Sequence, residues 1–95
     1  MIVCKVIGQA VSTIKDKRLE RHRLLIVGKI GNDPDVIVDR LIALDTVGAG
    51  EGMMVGVVQG APALAALGDS TTPIDAVIVA IFDSLETKDK KTYAM

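Results

Sequence analysis

Short apolar runs separated by turn-forming residues dominate the chain. Short runs of β-branched and aliphatic residues, bounded by glycine, proline, asparagine or aspartate, are typical of β-strands. We therefore predict five strands, at about residues 2–7, 24–30, 36–44, 53–58 and 76–85. The third of these strands is interrupted by Asp39 and Arg40, in the middle of its apolar pattern.

Glycine and proline mark the connections between the predicted strands. Gly8 interrupts the first apolar run, which resumes over residues 10–14, so we expect a bulge or bend at this glycine. Residues 31–35, Gly-Asn-Asp-Pro-Asp, combine the main turn-forming residue types and predict a tight reversal. Residues 45–52 form a glycine-rich loop between the third and fourth strands.

One segment, residues 61–67, has the composition of a helix. A proline stands near its start, alanines fill it, and Gly68 follows its last residue. The tail from Thr87 onward is polar, and we expect it to be loose or to pair only on assembly.

Five strands with one short helix predict an all-β fold, a small closed barrel of the OB-like kind formed by a single domain over residues 1–95. Closure would leave few of these apolar strands with an exposed edge. Phe82 and Tyr93 are the two aromatic residues, so we expect a core of valine, isoleucine, leucine and alanine with methionine as filler.

The apolar content is high for such a short chain. Hydrophobic residues make up 49% of 95 residues, and a chain of this length buries only a modest fraction of its surface. We therefore expect partner subunits to cover part of the apolar surface. The net charge of −1 gives no general attraction to nucleic acid or to anionic membranes.

The cysteine and the N-terminal pattern bear on the compartment. Cys4 is the one cysteine and lies in an apolar run, which indicates a buried, unreactive thiol and is compatible with a reducing compartment. We see no signal-peptide pattern and no apolar stretch long enough to span a membrane. The expectation is a soluble intracellular protein.

Basic residues cluster between the first two strands, with Asp16 and Glu20 among them. The favoured interpretation is a solvated loop, and the alternative is a charged rim that meets an acidic partner surface. The basic members are Lys15, Lys17, Arg18, Arg21 and Arg23.

Residues suited to catalysis or metal binding are scarce. His22, the one histidine, lies in this charged loop, where a histidine is usually solvent-exposed. Together with one cysteine it cannot form an ordinary zinc site or a nucleophile triad within a chain. We predict no catalytic residue, no metal and no cofactor. A symmetric ring could still bring copies of one acidic residue together, so a small-molecule-binding or enzymatic ring with its site between subunits remains the alternative.

The glycine-rich loop does not match a nucleotide-binding motif. Gly48, Gly50 and Gly52 follow a GxGxG spacing, and the segment after them is strand-like rather than helical. We expect these glycines to allow a sharp turn or a close approach to another backbone.

The same loop, Asp45-Thr46-Val47-Gly48-Ala49-Gly50-Glu51-Gly52, resembles the signature loop of the bacterial microcompartment vertex proteins, the EutN/CcmL family. The resemblance spans nearly the whole chain. It includes residues 8–13, Gly-Gln-Ala-Val-Ser-Thr, the strand at 24–27, Gly60-Ala61, and the segment from Pro73 to Asp83. The chain departs from common members at residues 62–64, Pro-Ala-Leu, where Ser-Ala-Arg is frequent.

The resemblance implies a five-stranded, OB-like barrel that assembles into pentamers at the five-fold vertices of a shell such as a carboxysome or metabolosome. It implies a structural role without catalytic residues or cofactors, with hexameric and trimeric shell proteins as further partners. A stand-alone OB-type module that binds a peptide or RNA is a second alternative. The resemblance also implies a ring-axis or interface position for Asp45, Gly48, Ala49, Gly50, Glu51 and Gly52.

Overall fold

A computed structural model of the chain describes residues 1–12, 16–33, 35–68, 71–88 and, for the backbone, 91–93. A 3-10 turn spans Lys17–Leu19, and an α-helix, α1, spans Ala61–Leu67. The strands are β1 (Ile2–Ala10), β2 (Arg23–Ile30), β3 (Ile37–Asp45), β4 (Met54–Gln59), β5 (Ala76–Phe82), β6 (Ser84–Glu86) and β7 (Lys91–Tyr93).

The first five strands close into a barrel in the order β1-β2-β3-β5-β4. Four of the five pairings are antiparallel. The fifth, between β3 and β5, is parallel and joins only Leu44 to Val77 and Asp45 to Ile78. The predicted closed barrel is confirmed. Because the parallel seam is so short, residues 37–43 of β3 have no strand partner on that side among the described residues.

The predicted irregularity at Gly8 is confirmed. The register between β1 and β2 shifts between Val6 and Gly8, as a β-bulge requires. The strand then ends at Ala10, so the expected continuation over residues 10–14 is not found at Val11 and Ser12. Residues 13 and 14 lie outside the described part of the chain.

Alternating side chains of the strands fill two separate apolar clusters. Leu25 and Val27 of β2 point into the barrel, whereas Leu24 lies on the opposite face and packs beneath α1. The barrel cluster contains Cys4, Val6, Leu25, Val27, Ala43, Ala49, Val55, Val57, Ala76 and Ile78. The cluster beneath the helix is centred on Leu44, Ala63 and Val77.

Helix α1 begins and ends at the predicted residues. A proline, Pro62, occupies the first turn, where its missing N–H costs nothing. Gly68 ends the helix in the left-handed conformation, with φ of 71°, and its N–H donates to the carbonyls of Leu64 and Ala65 at 3.1 Å each. Within the described residues, no helix is long and apolar enough to cross a membrane.

The C-terminal region differs from the prediction. The fifth strand ends at Phe82 rather than near residue 85, because Asp83 interrupts it and a new strand, β6, begins at Ser84. The backbone of Lys91–Tyr93 then pairs antiparallel with β6. The expectation of a tail that is loose or pairs only on assembly is therefore wrong for these residues. Backbone hydrogen bonds form this ladder, and they require no apolar side-chain pattern.

Candidate functional site

The buried carboxylate of Asp45 organises the glycine-rich loop. Its Oδ1 accepts hydrogen bonds from the backbone N–H groups of Val47, Gly48 and Ala49 at 3.1, 3.1 and 3.2 Å, and its Oδ2 accepts from Ala49 at 3.0 Å. The side chain is only 3% exposed, and Nη1 of Arg23 lies 3.5 Å from Oδ2. A buried carboxylate is tolerated when such donors surround it. Asp45 therefore fixes the shape of the loop within one chain.

Further hydrogen bonds attach the loop to the barrel. The Thr46 hydroxyl donates to the carbonyl of Ile78 in β5 at 2.7 Å. At the other end of the loop, the N–H of Gly52 donates to the carbonyl of Val6 at 2.8 Å, and the N–H of Val6 donates to the carbonyl of Met53 at 2.9 Å. The loop is thus anchored to strands on both sides.

The three glycines of the loop have different local roles. Gly48 and Gly52 have φ of 78° and 87°, in the region that disfavours side chains, and a Cβ on either would meet no atom within 4 Å. Gly50 does not have a positive φ, and a Cβ there would lie 3.6 Å from Cε of Met53, an ordinary contact. The expectation of a sharp turn is confirmed for Gly48 and Gly52. For Gly50, neither a positive φ nor a close backbone approach is found within one chain.

The loop residues also differ in what they present to the outside. Ala49 is 1% exposed and belongs to the barrel cluster, so its small size serves the packing of its own chain. Val47, Gly48 and Glu51 are exposed, and Gly50 is half-buried. The outward part of the loop is therefore formed by exposed or small residues on a fixed backbone.

A second feature is an apolar outer β3 surface, formed by Val36, Val38 and Ile42. These side chains are 50%, 63% and 50% exposed, which is high for large aliphatic residues. Val38 and Ile42 lie on the same face of β3, and Arg40 lies between them. An open groove of about 670 Å³ runs along Ile37 to Arg40. Sequence reasoning missed this surface, since strand alternation does not distinguish a core face from an interface.

The charged segment before β2 is folded into the 3-10 turn. Asp16 accepts hydrogen bonds from the backbone N–H, Nε and Nη2 of Arg18, all at 2.9 Å, and this arginine lowers the pKa of Asp16 to about 2. Arg18 also donates from Nη1 to the carbonyl of Thr71 at 2.7 Å. His22, expected to be exposed, is half-buried.

The described residues with side chains suited to catalysis or metal binding do not form a cluster. The described residues contain no group of three or more histidine, cysteine, aspartate or glutamate side chains placed to hold a metal ion. Cys4 is fully buried, as predicted, and burial raises the pKa of its thiol from 9.0 to about 11. Such a thiol is protonated near neutral pH and is a poor nucleophile.

Comparison with known sequences gives matches over almost the entire chain. The family model described as "Ethanolamine utilisation protein EutN/carboxysome" matches residues 1–83. The carboxysome shell vertex protein CcmL of Thermosynechococcus vestitus is 33% identical over 94 residues, which cover 99% of this chain and 95% of that protein. The bacterial microcompartment shell vertex protein GrpN of Rhodospirillum rubrum is 38% identical over 87 residues, covering 92% and 98%.

Solved structures show the same architecture. The structure of CcmL from Nostoc sp. PCC 7120 aligns over 100% of both chains with a TM-score of 0.87 and 33% identity. The structure titled GrpN pentameric microcompartment shell protein, from Rhodospirillum rubrum, aligns with a TM-score of 0.79 and 37% identity over 92% of this chain and 98% of that one. The fold of this chain thus recurs over nearly its whole length in both structures.

Proposed function

The chain belongs to the EutN/CcmL family, and from this premise we propose that it is a structural shell protein whose pentamers cap the five-fold vertices of a bacterial microcompartment. The observation that carries the proposal is near-complete coverage, at 33–38% identity, of relatives named as shell vertex proteins, one of them solved as a pentameric shell protein. A flat layer of hexagonal tiles needs five-fold positions to close. A pentameric ring has the symmetry to occupy such a five-fold position.

The proposed role is structural rather than catalytic, and rests on shape and on complementary surfaces between subunits. The relatives that support it are named for their position in a shell. In a closed ring, each subunit meets its neighbour through two different surfaces. At least one of these surfaces should be apolar, because subunit contacts that are never exposed resemble a protein core.

We place one of these ring contacts at the outer β3 surface. Val38 and Ile42 present exposed aliphatic side chains there, and Ile26, which pairs with Ile42 across the sheet, is half-buried. The same part of β3 has no strand partner on its β5 side among the described residues, so its backbone N–H and C=O groups are also open to a neighbour. Covering the exposed part of each aliphatic side chain would contribute on the order of 1 kcal/mol per residue.

We place the glycine-rich loop at the ring axis or at a second subunit contact. Ala49 packs inside its own barrel, which favours a small residue there. Gly48 and Gly52 have positive φ, which favours glycine. Gly50 has neither reason, so a neighbouring copy at close range would account for its missing side chain. The loop proposed for this role contains Asp45, Gly48, Ala49, Gly50, Glu51 and Gly52.

We infer that hexameric and trimeric shell proteins are the other partners, and cells that produce a microcompartment provide the test. Removing this protein should leave shells open, misshapen or elongated in electron micrographs, because facets can form without corners. Assays of the enclosed enzymes in broken cells should be unchanged, and adding the protein back should restore closed shells.

Two outcomes of that experiment would contradict the proposal. Normal closed shells without this protein, and without a related protein in its place, would show that it does not cap vertices. Loss of one enzymatic step in broken cells would favour a ring with a catalytic site between subunits.

A further inference from the structure

We propose that the chain carries a binding site for a small phosphate-bearing ligand, in the cavity between the 3-10 turn and the C-terminal end of α1. The cavity has a volume of about 330 Å³ and is lined by Lys17, Arg18, Arg21, His22, Leu67 and Thr72. Nothing in the proposed shell role requires a cavity here, and the inference is independent of that role.

The charge of the cavity wall is the first argument. Lys17, Arg18 and Arg21 contribute three cations, and the described residues of the lining include no carboxylate, although the chain as a whole has a net charge of −1. Cations concentrated in a concavity attract anions more strongly than the same cations spread over a surface. The cavity is therefore suited to a negatively charged ligand.

The cations differ in how they are held, and this is the second argument. Arg18 is fixed by Asp16 on one side and by the carbonyl of Thr71 on the other. The side chains of Lys17 and Arg21 form no ion pair or hydrogen bond with any described residue. Arg18 is thus held in place at the cavity wall, and the other two cations form no ion pair with a carboxylate in the described part of the chain.

A simpler explanation accounts for only one of these side chains. Basic residues often lie near helix C-termini, because they hydrogen-bond to nearby carbonyls and interact favourably with the helix dipole. Arg18 fits that explanation through its hydrogen bond to Thr71. Lys17 and Arg21 make no such contact with the described residues, so their placement calls for a different partner.

The size and lining of the cavity specify the ligand class. Arginine and lysine together bind the oxygens of a phosphate group well, the guanidinium through paired hydrogen bonds and the ammonium as a point charge. Leu67 offers an apolar surface for a small organic body. The volume is at the lower end of ligand sites, roughly 300–1,000 Å³, so a small phosphate ester is favoured over a long polymer.

Calorimetric titration of the purified oligomer provides the test, with inorganic phosphate and glycerol phosphate as probes at constant ionic strength set with chloride. Lys17→Gln and Arg21→Gln each remove one cation from an exposed position and should leave the circular dichroism spectrum unchanged. We expect each to weaken binding of glycerol phosphate roughly tenfold. The matched control, Lys88→Gln, removes an exposed charge outside the cavity and should change affinity less than about twofold.

Backbone amide chemical shifts locate the bound probe. Leu67 and Thr72 should shift on titration in the unaltered protein, and the shifts should be lost in Arg21→Gln. Equal binding of both probes would identify the phosphate group as the recognised part, and tighter binding of the ester would identify the whole molecule; either supports the proposal. Absence of saturable binding of either probe, or unchanged affinity for glycerol phosphate in both variants, would overturn it.

Discussion

The barrel interior and the outer β3 surface contain the same kinds of aliphatic residue in opposite surroundings. Leu25 and Val27 of β2 are buried within their own chain, while Val38 and Ile42 of the adjoining β3 are more than half or half exposed. The register places Leu25 opposite Ala43, one position from the pair of Ile26 and Ile42. Contacts within one chain therefore account for the first set, whereas the second set has the exposure expected of a surface that meets the proposed neighbouring subunit.

Truncation inside the barrel should give the largest loss of stability. Leu25→Ala removes a side chain that is 1% exposed and leaves a cavity among the strands, which costs roughly 2–5 kcal/mol in the free energy of unfolding. Chemical denaturation measures this loss of stability. Both proteins must be compared at one fixed concentration, because assembly makes stability depend on concentration. A loss below about 1 kcal/mol would mean that the barrel interior is not the main core.

A charge on the outer β3 surface should affect assembly instead. Ile42→Asp or Val38→Asp would place a carboxylate where a neighbour is expected to cover it, which is unfavourable unless the charge is paired. Light scattering should then show smaller species, while circular dichroism retains the β signal. The matched control is Val11→Asp, an exposed aliphatic residue outside β3. If Val11→Asp dissociates the ring and Ile42→Asp does not, the contact has been assigned to the wrong surface.

The elements that could be predicted are those whose ends are marked by nearby residues in the sequence. The barrel strands and α1 could be found because glycine, proline and aspartate stand at their ends, and Gly68 lies where a helix needs a left-handed residue. The break at Asp83 was missed, because Leu85 follows it and because an aspartate can also lie inside a strand, as Asp39 does in β3. The pairing of Lys91–Tyr93 depends on backbone hydrogen bonds, which leave no mark on residue type.

In the candidate site, too, the features with a local cause could be predicted and those that depend on the folded structure could not. The loop itself was identified from its residues, whereas the buried position of Asp45 and its hydrogen bonds to three N–H groups depend on how the loop folds back. Glycine spacing did not separate Gly48, with its positive φ, from Gly50, which has none. The exposure of Val38 and Ile42 depends on which face of β3 meets the barrel interior, and the alternating pattern is compatible with either face.

Gly48 and Gly50, two of the three loop glycines, allow the same comparison at the level of single residues. Gly48→Val forces a β-branched residue to a φ of 78° and should destabilise the isolated fold by about 1–3 kcal/mol. Gly50→Val meets only the flexible end of Met53 within its chain, so melting of the barrel should change little. If the loop contacts neighbouring copies, Gly50→Val should still reduce the fraction of rings. Wild-type ring formation by Gly50→Val would place the loop away from any subunit contact.

The smallest effect is expected from the thiol inside the barrel. Burial raises the pKa of Cys4 from 9.0 to about 11, so the thiol is protonated in both folded and unfolded chains at neutral pH and contributes no pH dependence there. Between pH 9.0 and about 11 the unfolded chain loses the thiol proton and the folded chain keeps it. The free energy of unfolding therefore falls as the pH rises through this range. Cys4→Ala should lack this component in denaturation measured against pH. Rapid labelling of the native thiol at pH 7 would show that β1 is open.

The mass of the purified protein in solution tests the proposed assembly most directly. Five copies of a 10.0 kDa chain give about 50 kDa, and light scattering coupled to size exclusion should report this mass throughout the micromolar range. The Ile42→Asp variant should fall below it while the unaltered protein does not. A single species of 10.0 kDa for the unaltered chain would contradict the pentamer, and with it the proposed place at the five-fold vertices of a shell.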